Sequence, residues 1–237
     1  MLLASNSEYH RIIGRLLYIT NTKPEISYVV SKLSQFLDCA TDKHFEAALR
    51  VLKYAKGAPT KELFFSATTD FTPSGFSDSD WATCPYSRRS VTRYYFFLGT
   101  SIIYWKSNKQ DTITTSSCEA EYRALASATK EAQWLAYMMK KLQIEQQKPI
   151  IIYCDSQSAL HIAANAVYHE RTKHIEVNCY IVREKWQEGV IKLLPIFSSE
   201  QTANILTKAL APSMFKSCES KLGLLDIYNP NLRGDVI

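Results

Sequence analysis

Acidic side chains stand at four places in this chain where their type and spacing can do chemistry. Ile150-Ile151-Ile152-Tyr153-Cys154 is a short apolar run that ends on Asp155, and Ser156 then opens a helix reaching Asn165. A run this rich in isoleucine reads as a strand buried on both faces, hence a central strand of a mixed or parallel sheet. Asp155 falls at its carboxyl end, where open α/β sheets place ligand sites. A carboxylate there is costly unless it is hydrogen-bonded or holds a metal. The competing reading makes Asp155 the cap of the following helix, and this stretch alone supports both. The second place is Phe76-Ser77-Asp78-Ser79-Asp80-Trp81, where Asp78 and Asp80 share one strand face and Phe76 and Trp81 help to bury it. The third is Glu119-Ala120-Glu121-Tyr122, in the first turns of a long helix. The helix dipole accounts for Glu119. Glu121 lies one turn before Leu125 on the apolar face, so it points toward the sheet. The fourth is the start of a last helix, where Glu200 and Asn204 share a face. Carboxylates brought together repel, and burial raises the cost. A divalent cation is the usual resolution, and oxygen ligands suit Mg²⁺ or Mn²⁺. Two such ions about 4 Å apart can stabilise both the attacking and the leaving oxygen of a phosphodiester.

The elements that must position these acids follow from periodicity. Residues 1–57 read as helical: Ile12, Ile13, Leu16 and Leu17 recur at helical spacing, Pro24 opens a second helix, and Thr41 caps a third that Gly57 ends. Residues 58–74 are turn-rich around Leu63-Phe64-Phe65, a possible strand, and mark the boundary of a second domain. Strands are then expected at 75–82, 91–98 and 101–106, with Gly99-Thr100 as a turn. A long helix opening at Ser116 carries Tyr122, Leu125, Ala132, Trp134, Leu135 and Met138 on its packed face. After the Ile150 strand and its short helix come a helix over 170–188, a strand over 190–194 and a helix from Ser198 to Leu210. An amphipathic segment, Met214 to Leu225, lies in the tail.

Composition sets the outer bounds. The 237 residues carry 28 Lys and Arg against 23 Asp and Glu, a net charge of +5, which permits a polyanionic partner without requiring one. The aromatic share of 12%, with 14 tyrosines, excludes a globally disordered chain. The six cysteines are widely spaced and form no CxxC pair, so they read as reduced thiols of an intracellular protein, in cytoplasm or nucleus alike. No apolar run is long enough to span a bilayer, so no membrane partner is expected.

The motifs taken together resemble the C-terminal part of copia-type retrotransposon Pol polyproteins. Residues 75–210 are similar to their ribonuclease H domain through Phe76-Ser77-Asp78-Ser79-Asp80-Trp81-Ala82, Arg88-Arg89-Ser90, Trp105-Lys106-Ser107-Asn108-Lys109-Gln110, Glu119-Ala120-Glu121-Tyr122, Cys154-Asp155-Ser156-Gln157-Ser158-Ala159, His169-Glu170-Arg171-Thr172-Lys173-His174-Ile175 and Ile205-Leu206-Thr207-Lys208. Residues 1–57, with Gly14-Arg15-Leu16-Leu17-Tyr18 and Arg50-Val51-Leu52-Lys53-Tyr54-Ala55-Lys56-Gly57, resemble the segment that ends the reverse transcriptase of the same polyproteins; 58–74 would be a linker and 211–237 a tail. The resemblance implies an α/β ribonuclease H-like fold, a five-stranded mixed sheet with flanking helices preceded by a small helical segment. It implies hydrolysis of the RNA strand of RNA–DNA hybrids with Mg²⁺ or Mn²⁺, two ions in the full site, and the polymerase part of a reverse transcriptase as a partner. By position, Asp78, Glu121 and Asp155 match the metal-binding acids. Asn204 stands where the family has its fourth acid, and a neutral amide there implies a weaker second metal site. Asn178, Tyr180 and Arg93 are further departures. Arg88, Arg89, Arg171 and Lys173 are candidate phosphate contacts, and Ser156 and Gln157 candidate sugar or base contacts; a solvated surface and helix capping are the competing accounts. Trp105 and Trp134 read as core, and His174 as structural rather than as a proton shuttle. Two other readings are a catalytically weakened or inactive hybrid-binding remnant, which Asn204 favours, and another metal nuclease of the same fold, against which the upstream match argues.

Overall fold

The computed structural model describes residues 2–66, 69–144, 146, 148–165, 176–198, 200–201 and 212–226. The chain divides into two compact units, 1–65 with 208–237, and 66–207.

In the first unit, helices α1 (Ser7–Ile19), α2 (Ser27–Ser34) and α3 (Asp42–Gly57) pack around Tyr9, Ile13, Leu16, Val30 and Ala48, all fully enclosed. Pro24–Ile26 forms a 3₁₀ turn ahead of α2, where the fixed φ of Pro24 suits the first helical position. Thr41 caps α3 in a reciprocal box: its hydroxyl accepts from the His44 N–H, and its own N–H donates to His44 Nδ1 at 3.2 Å. The span expected as linker contains β1 (Lys61–Leu63), which pairs antiparallel with β7 (Leu224–Asp226). The expected tail thus supplies both a strand and helix α7 (Pro212–Lys221) to this unit.

The second unit is built on a five-stranded mixed sheet in the order β4-β3-β2-β5-β6. Its members are β2 (Pro73–Asp80), β3 (Val91–Leu98), β4 (Ser101–Lys109), β5 (Ile150–Cys154) and β6 (Ile191–Pro195). The first three strands form an antiparallel meander, and β5 and β6 add in parallel. Gly99, at φ 58°, makes the β3–β4 turn, and a Cβ on Gly75 would enter the ring of Phe96. Helices α4 (Ser117–Lys141), α5 (Gln157–Ala164) and α6 (Glu176–Gln187) share one core with the sheet, in which Tyr122, Leu125, Ile150, Ile152 and Val182 are sealed from solvent. Each such aliphatic side chain contributes about 1.5–3 kcal/mol through burial.

Several expectations are corrected here. The strand β5 is sealed at Ile150, Ile152 and Cys154 but only half-buried at Ile151 and Tyr153, so one of its faces is fully covered. It pairs in parallel with both β2 and β6, an interior strand of a mixed sheet as expected. Trp134 is 51% exposed; it leans on Tyr104 at the sheet edge, and Met139 instead of Met138 enters the core. Trp81 is half-exposed at the end of β2, its indole N–H donating to the Thr114 carbonyl. The start of the helix expected over 170–188 and most of the helix expected from Ser198 to Leu210 lie outside the described residues.

Candidate active site

The last parallel pair between β2 and β5 is Ser77↔Cys154, so Asp78 and Asp155 each follow it by one residue at the same end of the sheet. The strand β2 runs on to Asp80 beyond that pair. There the Ser79 N–H donates to Glu121 Oε1 at 3.2 Å, which ties the first turns of α4 to the sheet. Asp78 is buried, 3% exposed, and Glu121 and Asp155 are half-buried. The Ser198 hydroxyl, three residues past β6, donates to Asp155 Oδ2 at 2.8 Å. Gln201, also buried, donates through Nε2 to the Ser77 carbonyl at 3.1 Å. Ligand atoms of Glu121, Cys154 and Asp155 lie within 4.8 Å of one another.

The capping reading of Asp155 is answered by its neighbour. Ser156 is the N-cap of α5, its hydroxyl accepting from the Ala159 N–H at 3.3 Å. Asp155 is left to the cluster. Glu119 is structural, as the helix-dipole reading expected. It accepts from Thr115 and forms an ion pair with Arg123 at 2.8 Å. Burial alone would raise its pKa, but the Thr115 hydrogen bonds and Arg123 outweigh that and hold its carboxyl below the usual range.

The donor set suits a hard cation. The Cys154 thiol is pushed far up, first by burial and then by the charges of Glu121, Asp155 and Asp78. Oxygen donors on separate rigid elements could together hold a divalent cation.

The other candidates divide. Arg88 and Arg89 are exposed in the loop joining β2 to β3, at the acid end of the sheet, since Asp80 pairs with Val91. Gln157 is exposed in the first turn of α5, next to the capping Ser156. Asn204, Arg171, Lys173 and His174 lie outside the described residues. Sequence reasoning missed Ser198, Ser79, Gln201 and Arg93 as parts of the site. The signal for Ser198 was available: residues just past the ends of neighbouring parallel strands converge. The signal for Arg93 required the strand register that places it opposite Asp78.

A meander of three strands extended by two parallel strands, with helices packed on it and acids at the strand ends, defines a ribonuclease H-like α/β fold. No family model matches the chain. Over 222 residues, 94% of its length, the chain is 36% identical to the retrovirus-related Pol polyprotein from transposon RE1 of Arabidopsis thaliana, and it covers 15% of that protein. Against the corresponding polyprotein from transposon RE2 of the same plant it is 35% identical over 225 residues, 95% of the chain and 16% of the relative. The chain belongs to these retrovirus-related transposon Pol polyproteins and spans about one-sixth of their length. Among solved structures, RNase H1 from the archaeon Halobacterium salinarum NRC-1 overlays with a TM-score of 0.41 at 13% identity, covering 62% of this chain and 98% of that one. Among the described residues, no helix is long and apolar enough to cross a membrane.

Proposed function

We propose that the chain is the ribonuclease H part of a copia-type Pol protein, with its ribonuclease H domain over 75–210 and the end of the reverse transcriptase over 1–57. Its substrate is the RNA strand of an RNA–DNA hybrid, met inside the cell. The observation that carries this reading is the meeting of Glu121 and Asp155 at one end of the sheet, where Asp78 follows the last β2–β5 pair. Asp78, Glu121 and Asp155 would hold Mg²⁺ or Mn²⁺. Bound there, the ions would lower the pKa of a water and offset charge on the leaving oxygen.

The chain's own residues do the positioning. The Ser79 N–H orients Glu121 and the Ser198 hydroxyl orients Asp155, so both carboxylates are aimed before substrate arrives. Arg88, Arg89, Arg171 and Lys173 contact phosphates, which set register without reading sequence. Gln157, and the hydroxyl proton of Ser156 that capping leaves available, face the 2′-hydroxyls that separate RNA from DNA. Asn204 favours a second reading, a weakened or inactive hybrid-binding remnant, because its amide brings no negative charge to a second ion.

Cleavage of a labelled hybrid by the purified chain tests both. Mg²⁺-dependent cleavage that falls about a thousandfold in Asp155→Asn and rises in Asn204→Asp supports a working enzyme held back at its fourth ligand. Activity confined to Asn204→Asp supports the remnant. No cleavage by any folded variant refutes the nuclease.

A further inference from the structure

Arg93 sits in the middle of β3 and is 2% exposed. Its Cα partners are Asp78 on β2 and Ser107 on β4, so the three side chains share one sheet face, with Asp80 one step along from Asp78. The guanidinium is anchored from both sides. Its Nε donates to Ser107 Oγ at 3.1 Å, and its Nη1 lies 3.7 Å from Asp80 Oδ2. A guanidinium cannot shed its proton, so its burial is permanent burial of charge, and that is tolerated only beside opposite charge. Acids on the row beside it provide that charge.

We infer that Arg93 is a built-in counter-charge of the acid cluster, a positioning residue that stands in for part of the divalent charge. This rests on the reading that Asp78, Glu121 and Asp155 hold divalent ions. Asp78 and Asp80, on the row beside it, bring two formal negative charges, and Arg93 offsets one of them. The consequence is a site that holds a divalent ion less tightly than its acids alone would. It also stays folded without ions, because Arg93 already offsets the repulsion that would otherwise oppose burying Asp78.

The test is calorimetric titration of the full chain with MnCl₂, alongside melting curves in EDTA and in Mn²⁺. Wild type is expected to bind Mn²⁺. Arg93→Gln, which keeps hydrogen-bonding capacity but not charge, is expected to bind about tenfold tighter. Its melting temperature should drop in EDTA and recover with Mn²⁺ by more than the wild type gains. Arg93→Lys, which keeps the charge, is expected to show wild-type affinity, an outcome that a purely steric role would not give. Asp80→Asn moves the charge the other way, is less dependent on folding, and is expected to bind Mn²⁺ several-fold more weakly. Equal affinity in wild type, Arg93→Gln and Asp80→Asn, with binding lost in Asp155→Asn, overturns the counter-charge and leaves the metal reading intact. Binding indifferent to Asp155→Asn overturns both.

Discussion

Both units of this chain bury carboxylates, but they surround them differently. In the helical unit, Glu219 is 6% exposed and meets Lys61 Nζ at 2.6 Å and the Tyr54 hydroxyl at 2.8 Å. Glu25, also buried, accepts from the same hydroxyl at 3.5 Å, and Lys23 Nζ donates to the Ala58 and Lys61 carbonyls. These contacts join the 3₁₀ turn, α3, β1 and α7 through unlike partners, so the acids act as cross-links. In the sheet unit, Asp78, Glu121 and Asp155 come from three elements. The contacts that aim Glu121 and Asp155 are neutral donors, a backbone N–H and a hydroxyl. Paired opposite charges hold the helical unit together; in the sheet unit Arg93 offsets only part of the acid charge, which leaves electrostatic room for a cation. Burial alone therefore does not tell a structural acid from a chemical one, and the partner set does.

The largest effect that can break this contrast comes from removing a cross-link. Glu219→Ala should destabilise the helical unit by about 3–5 kcal/mol, because Lys61 loses its ion pair and Tyr54 its acceptor. Asp155→Asn should leave the melting temperature unchanged or raise it, since it removes a like charge. Chemical denaturation of the two variants side by side checks both; equal losses would erase the distinction. Next in size, Ser156→Ala removes the α5 cap and should cost about 1 kcal/mol. A drop in hybrid affinity beyond what that loss explains would add a substrate role to the cap.

The smallest effect is a divergence with pH. Glu119 has a carboxyl held below the usual range by Thr115 and Arg123 against the raising effect of burial. Its stabilisation is therefore complete above the ordinary carboxylate pKa and is lost as pH falls through the lower folded-state value. The carboxyl of Glu25 is raised, chiefly by burial. Folding then binds a proton between the ordinary and the raised value, so stability falls as pH rises through that window. Glu25→Gln should stabilise the chain at neutral pH by about 1 kcal/mol or less, with no gain below the ordinary carboxylate range. Melting curves from pH 4 to 8 read the difference, and a gain that persists at low pH would contradict it.

Much of this was legible before any coordinates. The strand Val91–Leu98 and the Ser116 cap emerge with the expected boundaries, because a dense β-branched and aromatic run and a serine three residues before a glutamate are local signals. The pairing of Lys61–Leu63 with Leu224–Asp226 was not legible, since short strands so far apart in the chain carry no local pattern. Trp81 and Trp134 misled because bulk and hydropathy do not say which side of an edge a ring faces. At the candidate site, Glu121 and Asp155, which the fold brings together, both stand in motifs the sequence singles out. Ser198 could have been found from its place just past β6, whereas the pairing of Arg93 with the Asp78 row needed the register between strands.

The most direct test replaces Mg²⁺ with Fe²⁺ and maps where ascorbate-driven hydroxyl radicals cut the backbone of the full chain. Radicals act only near the bound ion, so the cuts locate it. Cleavage near residues 78–80, 119–122 and 154–156, suppressed by excess Mg²⁺ and absent in Asp155→Asn, is the expected result. Cuts clustered instead near Glu25 and Glu219, or no localised cutting in a folded chain, would contradict the claim that the like-charged acids of the sheet unit are the cation site.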